Sequence, residues 1–404
     1  MEEIKGKMAT AISYAKIMDE RAREQIRRMC DYDFTAGSRI RIMPDVHAGK
    51  GCTIGTTMTI QDKAVPNIVG VDIGCGMYTV HLGKQAIDFA RFDEAAHFVP
   101  SGMSVWEEKA ADFDLTPLHC HGKLKRLSWI EQSIGTLGGG NHFIEIDEAK
   151  DGTRWLVIHT GSRNLGKQVA EIYQKLAVEL NSGEESLAER IEHLIREYRA
   201  TGREKEIQKG LEELKAASRV LDMPEDLCYV SGKYLEQYLH DVEICQDFAR
   251  KNREHIARIL LERAGLEGGE AFHTIHNYID TEERILRKGA IAAHKDELVL
   301  IPVNMRDGSI LARGKGNPEW NFSAPHGAGR IMSRMAAKAS LDLEEYRREM
   351  SGVYTTSVAE GTLDEAPMAY KSLHDILDVI GDTVEVIDVM KPVYNFKAVE
   401  EKKW

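Results

Sequence analysis

Cysteine, proline, positive charge and long apolar runs are all scarce in this chain, and each shortage excludes something. The six cysteines lie at 30, 52, 75, 120, 228 and 245, with no CxxC pair and no closely spaced framework. That argues against a zinc ribbon and against a small oxidised scaffold; most of these thiols are expected to be reduced core residues. Ten prolines in 404 residues, with no Pro- or Ser-rich tract, leave no linker at which to divide the chain. No run of about 18 uncharged apolar residues occurs, so no membrane-spanning helix is expected. The opening MEEIKGKMAT lacks the basic-then-apolar layout of a secretion leader, and the expected location is the cytoplasm. Lys and Arg number 53 against 65 Asp and Glu, a net charge of −12. That excludes a protein that coats nucleic acid by bulk electrostatics, while the short basic clusters at 21–28, 122–126, 284–288 and 329–334 leave room for a local basic groove.

What the chain does have is glycine in clusters, at 49–55, 70–76, 135–140, 161–166, 308–316 and 327–329. A charged stretch, roughly 183–262, has apolar residues recurring at three and four, and reads as a helical section beside the core. Asn181-Ser182-Gly183 and Gly265 read as its breaks. RWLVIHT (154–160), ELVLIPV (297–303) and TVEVIDVM (383–390) read as strands. No repeat of 20–50 residues is visible. The unusual loops lie on both sides of the helical section, so the expectation is one α+β domain over 1–404, with mixed sheets gathered round one central cleft.

VDIGCGM (71–77) places Asp72 and Cys75 three apart on bare backbone. His142 lies in GTLGGGNHFIEI, His159 in WLVIHTGSRNLG and His276 in HTIHNYID, each beside glycine, asparagine or a strand end. Any one of these side chains alone is ordinarily structural. Taken together, one Asp, one Cys and three His exceed a single tetrahedral ion and suit two ions sharing a bridging thiolate. Mixed S, N and O ligation points to Mn²⁺, Zn²⁺, Fe²⁺ or Co²⁺ and away from Mg²⁺ or Ca²⁺. In SAPHGAGRIMSR (323–334), His326 precedes Gly-Ala-Gly and a helix-like segment. A glycine-rich helix mouth would offer N–H groups to a phosphate, with His326 as nucleophile or general base. GTLGGGNH is neither a Walker A motif nor a dinucleotide fingerprint, since it lacks both GK[ST] and GxGxxG.

These stretches together resemble the RtcB family of GTP-dependent RNA ligases over nearly the whole chain. They run, in order, MPDVHAGKGCTIG (43–55), VGVDIGCGM (69–77), GTLGGGNHFIEI, VIHTGSRNLG, HNY (276–278), RKGA (287–290), RGKGN (313–317), SAPHGAGRIMSR, APMAYKS (366–372) and KPVYNFK (391–397). The resemblance implies two Mn²⁺ ions on Asp72, Cys75, His142, His159 and His276. Cys75 would bridge, with His142 and His159 on one ion and Asp72 and His276 on the other. It implies that His326 accepts GMP from GTP. Nucleotide contacts are implied from Asn141, His142, Phe143, Ile144 and Glu145, from His276 and Asn277, and from Pro302, Val303, Asn304, Met305 and Ser309. The HGAG run of His326, Gly327, Ala328 and Gly329 and the late Lys397 complete that set. Arg163, Lys288, Arg330 and Arg334 are implied near RNA phosphates. The partner is then RNA with a 2′,3′-cyclic phosphate or 3′-phosphate end and a 5′-hydroxyl end.

The chain also departs from the family pattern. In PVNMRDGS (302–309), Val303, Asn304 and Arg306 stand where the family has Gly, Ser and Gly, beside the nucleotide. Lys397-Ala398 and a charged tail replace the common Lys-Gly end. These changes are similar to those of a divergent branch serving RNA repair rather than tRNA splicing. Asp45 and His47 in MPDVH read either as supports for a ligand histidine or as a base near the 5′-hydroxyl. Two other functions compete: a dinuclear metal-dependent RNA phosphoesterase, and a non-catalytic protein that binds RNA ends.

Overall fold

The structure is a computed structural model, and it describes residues 1–182, 184–217 and 221–397. Two mixed-length sheets carry the site. The first has six strands in the order Glu2–Lys5, Thr10–Ser13, Ile40–His47, Ile54–Thr59, Ile285–Lys288, Asn277–Asp280. The second has seven, all antiparallel: Ala271–Ile275, Gly76–Gly83, Arg154–Thr160, Phe143–Glu148, Val384–Lys397, Gly308–Gly314, Leu298–Asn304. The seven-stranded sheet curls until its two edges meet, where Leu300 N donates to Thr274 Oγ1 at 3.1 Å. Curling of this kind leaves few unpaired edge groups and creates an inside and an outside.

The sequence FIEIDE at 143–148 shows how the faces are assigned. Ile144 and Ile146 join Leu156 and Ile158 in a core that also holds Ile256, Ala257 and Leu260 of the long helix Gly232–Ala264. The alternate residues point inward, where Phe143 clusters with Met77, Val157, Leu311 and Met390. Period-two alternation therefore also sends Glu145 and Asp147 inward, where both are buried.

The three expected strands are present. Arg154–Thr160 has the expected bounds, Leu298–Asn304 begins one residue later, and Val384–Lys397 runs on for 14 residues. That last strand continues through Pro392 because the proline sits at a register shift, where no ladder donor is missed. It pairs first with Gly308–Gly314 and then, from Lys391 onward, with Phe143–Glu148. The change of partner carries Asn395 and Lys397 to the site.

The helical section is present as Glu184–Ala200, Ile207–Ala217 and Gly232–Ala264. Arg163–Asn181 precedes it and ends at Ser182. The long helix ends at Gly265 with φ +71°, a left-handed cap that favours glycine. This helix does more than lie beside the core, since the middle of it packs beneath the loops that carry Cys75, His142 and His159. The tail after Lys397 lies outside the described residues. None of the described helices is long and apolar enough to cross a membrane.

Candidate active site

The candidate ligands meet because strand register puts them at one end of the second sheet. Gly76 pairs with both Thr160 and Ile275, so Cys75, His159 and His276, each one residue away, converge. Phe143 pairs with His159, which brings His142 alongside. His276 is also where the chain passes from one sheet to the other. His276 N donates to Cys75 O at 2.9 Å, and Gly74 N donates to Asn277 O at 2.7 Å. Glycine is required at 74, where φ is +78° and a Cβ would press on Ala249 and Gln246 of the long helix.

Two donor groups share the Cys75 sulfur: Asp72–Cys75–His142 and Cys75–His159–His276. Cys75 Sγ lies 3.6 Å from His142 Nε2 and 3.3 Å from His159 Nε2. His142 Nε2 is 3.1 Å from Asp72 Oδ2, and His159 Nε2 is 3.0 Å from His276 Nε2. The shared sulfur agrees with the bridging expectation. The division of the other four does not. Asp72 groups with His142 and His159 with His276, because Asp72 precedes the Cys75 turn and faces the 142 loop, whereas His159 and His276 lie at the ends of the two strands that flank Gly76–Gly83.

The donor chemistry fits divalent cations. His142 Nδ1 donates to Leu137 O at 2.9 Å and His159 Nδ1 donates to Asn141 O at 3.1 Å, so both present Nε2 to the cluster. Lone pairs facing a carboxylate and a sulfur at these distances are held together by protons or by cations. Burial and the neighbouring imidazoles hold His159 and His276 well below the usual histidine range, which is the neutral, ligating form. Burial opposes ionisation of Asp72, but His142 and Cys75 outweigh it and its carboxyl stays below the usual range. Burial, with Asp72 beside it, pushes the Cys75 thiol well up; a divalent cation reverses that sign by binding the thiolate.

His326 stands at the same cluster, its ring centroid 4.9 Å from that of His276. Its Nδ1 is 2.7 Å from Asp45 Oδ2. A carboxylate only accepts, so Nδ1 carries the proton and Nε2 keeps its lone pair. Asp45 is buried and thus orients His326 rather than a ligand histidine. His47 bonds the Asp45 carbonyl through Nδ1 at 3.0 Å and lines the cleft. The expected helix mouth at HGAG is absent. The next helix, Arg334–Ser340, starts eight residues after His326 behind the Ser333 cap. Glycine positions here serve close packing instead: Gly329, at φ +70°, lies against Asp45, so no helix dipole acts at His326.

A cleft of about 310 Å³ opens beside these groups, within the size range of small-molecule sites. Asn141, Phe143, Glu145, His276, Asn277, Pro302, Val303, Asn304, Met305, His326, Gly327, Ala328, Gly329 and Lys397 line it. His142 does not line it, because its Nε2 is turned toward Asp72 and Cys75. Ile144 faces the helix-side core, and Ser309 is fully buried behind the wall. In the divergent loop, Asn304 Oδ1 accepts from the N–H groups of Arg306 and Asp307, so Asn makes the hairpin turn.

The basic residues divide. Arg330 and Arg334 line the cleft, paired with Glu365 at 3.4 and 3.1 Å. Glu365 also accepts from Lys397 Nζ at 2.7 Å and from the Tyr370 hydroxyl at 2.7 Å. Arg163 lies against the loop that leads to His142, donating to Gly102 O at 2.7 Å and Thr136 Oγ1 at 3.0 Å. Lys288 is buried and donates to the carbonyls of Lys50, Cys52 and Asn67, which pins that loop rather than reaching outward.

Sequence reading missed the contribution of the long helix. Asn252 Oδ1 accepts from Gly135 N at 2.7 Å and Thr136 N at 3.0 Å, and Nδ2 donates to Thr136 O at 3.2 Å and Gly161 O at 3.0 Å. Arg253 donates to Gly74 O at 2.7 Å and Thr160 O at 2.9 Å. Both residues are fully buried, and between them they tie together the loops bearing Cys75, His142 and His159. The only sequence signal was a pair of polar residues on what should be an apolar helix face. Asn252→Ala leaves four backbone groups without their partner. It is expected to cost about 3–5 kcal/mol of stability, read as a lower denaturant midpoint together with reduced metal retention. An unchanged midpoint would remove the clamp role. Asn395, Glu365 and Tyr370 were also passed over, although each lies in or beside a quoted motif.

A buried cluster of S, N and O donors and an oriented imidazole on one cleft define a candidate metal-dependent enzyme. The family model described as "tRNA-splicing ligase RtcB" matches residues 25–122 and 119–398. The chain is 30% identical to RNA-splicing ligase RtcB of Escherichia coli K12, covering 92% of this chain and 93% of that protein. It is 27% identical to tRNA-splicing ligase RtcB of Aeropyrum pernix, over 84% of this chain and 83% of that one. The chain belongs to the RtcB family.

Proposed function

We propose that the protein is an RNA ligase that joins 2′,3′-cyclic phosphate or 3′-phosphate ends to 5′-hydroxyl ends, using GTP and two Mn²⁺ ions. One observation carries the reading. The His326 imidazole is oriented by Asp45, with Nε2 left bare, beside a donor cluster that shares the Cys75 sulfur. The printed names of the relatives support the RNA ligase class.

Asp72, Cys75 and His142 would hold one ion, and Cys75, His159 and His276 the other. When bound, the ions supply positive charge that offsets the phosphate charge facing the nucleophile. The chain's own groups do the rest. Nε2 of His326 attacks the α-phosphorus of GTP; the N–P bond forms, the bond to the bridging oxygen breaks and pyrophosphate leaves. Asp45 keeps the Nδ1 proton in place and stabilises the positive charge that develops on the ring. Water opens a cyclic phosphate to a 3′-phosphate, whose oxygen takes the guanylate and frees His326. The RNA 5′-hydroxyl then attacks the 3′-phosphorus, and GMP departs. Arg330 and Arg334 at the cleft, once released from Glu365, suit RNA phosphates.

Asp45→Asn keeps the size but loses the fixed carboxylate charge. The single-turnover rate of guanylate transfer to the protein is expected to fall roughly 10²–10⁴-fold, with metal content unchanged. A rate within twofold of wild type would contradict the orienting role. Opening of cyclic phosphate with no joined product at any GTP concentration would favour the phosphoesterase instead.

A further inference from the structure

Glu145 and Asp147 are two positions apart on one strand and so share its inward face. Glu145 reaches the cleft; Asp147 is fully buried and does not. Neither oxygen of Asp147 has a well-formed hydrogen bond among the described residues, and neither does the hydroxyl of buried Ser309. What Asp147 faces is the Glu145 carboxyl and the Ser309 hydroxyl. Glu145 Oε2 accepts from Asn395 Nδ2 at 2.5 Å. The neighbouring cation, Lys397, pairs with Glu365. From the remaining adjacent strand, Val157 stands opposite Glu145 and Trp155 opposite Asp147, and neither carries charge. Around them lie Phe143, Leu311 and Met390. Two neighbouring carboxyl groups buried on one strand face, without an ion-pair partner, strongly disfavour being ionised together.

We propose that Asp147 carries a proton that it donates to Glu145, and that it acts in this way as a positioning residue, holding the Glu145 carboxylate as the cleft's acceptor for a base edge with adjacent N–H donors, such as guanine. This rests on the nucleotide reading of the cleft given above. Burial lifts Glu145 to about 7, against the pull of Asp147, Asn395 and Lys397. Asp147 is pushed further up by burial and by the charge of Glu145. Guanine binding should therefore strengthen as pH rises through about 7, because the ionised acceptor forms there, and fall about tenfold per unit below it.

The test is calorimetric binding of GMP and AMP to the full chain between pH 5.5 and 8.5. The two share a phosphate, so its titration cancels in the ratio. The GMP/AMP preference should rise with a midpoint near 7. Asp147→Asn, which still donates, should keep that midpoint; Asp147→Leu, which cannot, should raise it by at least one unit and lower GMP binding at pH 7.5 about tenfold or more. A midpoint that drops in Asp147→Asn, or stays put in Asp147→Leu, overturns the proposal. Infrared spectra of the nucleotide-free protein at pH 7.5 separate this claim from the nucleotide reading. A buried carboxylic-acid band present in wild type and lost in Asp147→Asn upholds the shared proton even if GMP fails to bind at any pH. Absence of that band in wild type refutes it.

Discussion

His326→Ala is expected to abolish covalent labelling of the protein by α-labelled GTP, a loss of at least about a thousandfold. The label on wild type should be acid-labile and base-stable, as a histidine phosphoramidate requires. Metal content should not change, because the ring belongs to neither donor group. Isolation of the labelled peptide locates the adduct. Full labelling of the variant, with the same stability to base, would show that another side chain takes the guanylate. Asp45 is buried and holds Nδ1 at 2.7 Å, which leaves Nε2 as the ring nitrogen free to react.

Cys75→Ala should have the second large effect. The sulfur is the one atom common to both donor groups, so its removal takes a ligand from each ion at once. Bound Mn²⁺ should fall from two per chain to at most one, with affinity down by about a hundredfold or more, beyond the 10–100-fold typical of losing a supporting partner. Mass-spectrometric metal analysis and calorimetric titration give the number and the affinity. Circular dichroism checks that the fold survives. Two ions retained at unchanged affinity would mean that the two groups do not share a bridge. Asp72→Ala, in contrast, should weaken only the ion with His142 and leave the one between His159 and His276.

The donor types were readable from short stretches. Asp72 and Cys75 sit on bare backbone, and His142, His159 and His276 each flank a strand end. How the donors divide was not readable, because that depends on which residues face each other once Gly76 pairs with Thr160 and Ile275. HGAG has the sequence pattern of a helix mouth without being one, for a related reason. Glycines before a helix-like run satisfy the pattern, but the loop packs on Asp45 and helix formation waits for the Ser333 cap. Asn252 and Arg253 stand out only as polar residues on the apolar stripe of Phe248, Ala249, Ile256 and Ala257, and what they clamp is decided when the helix docks.

By itself, the sequence determined the chemistry on offer: which side chains can ligate, which imidazole can attack, and which residues alternate between the faces of a strand. These follow from composition and from periods of two and 3.6, which are local properties of the chain. Only the tertiary structure decided who meets whom. The curled sheet, the partner change at Lys391 and the long helix beneath the loops bring together groups hundreds of residues apart, and such pairings are set by packing and register rather than by any neighbouring residue.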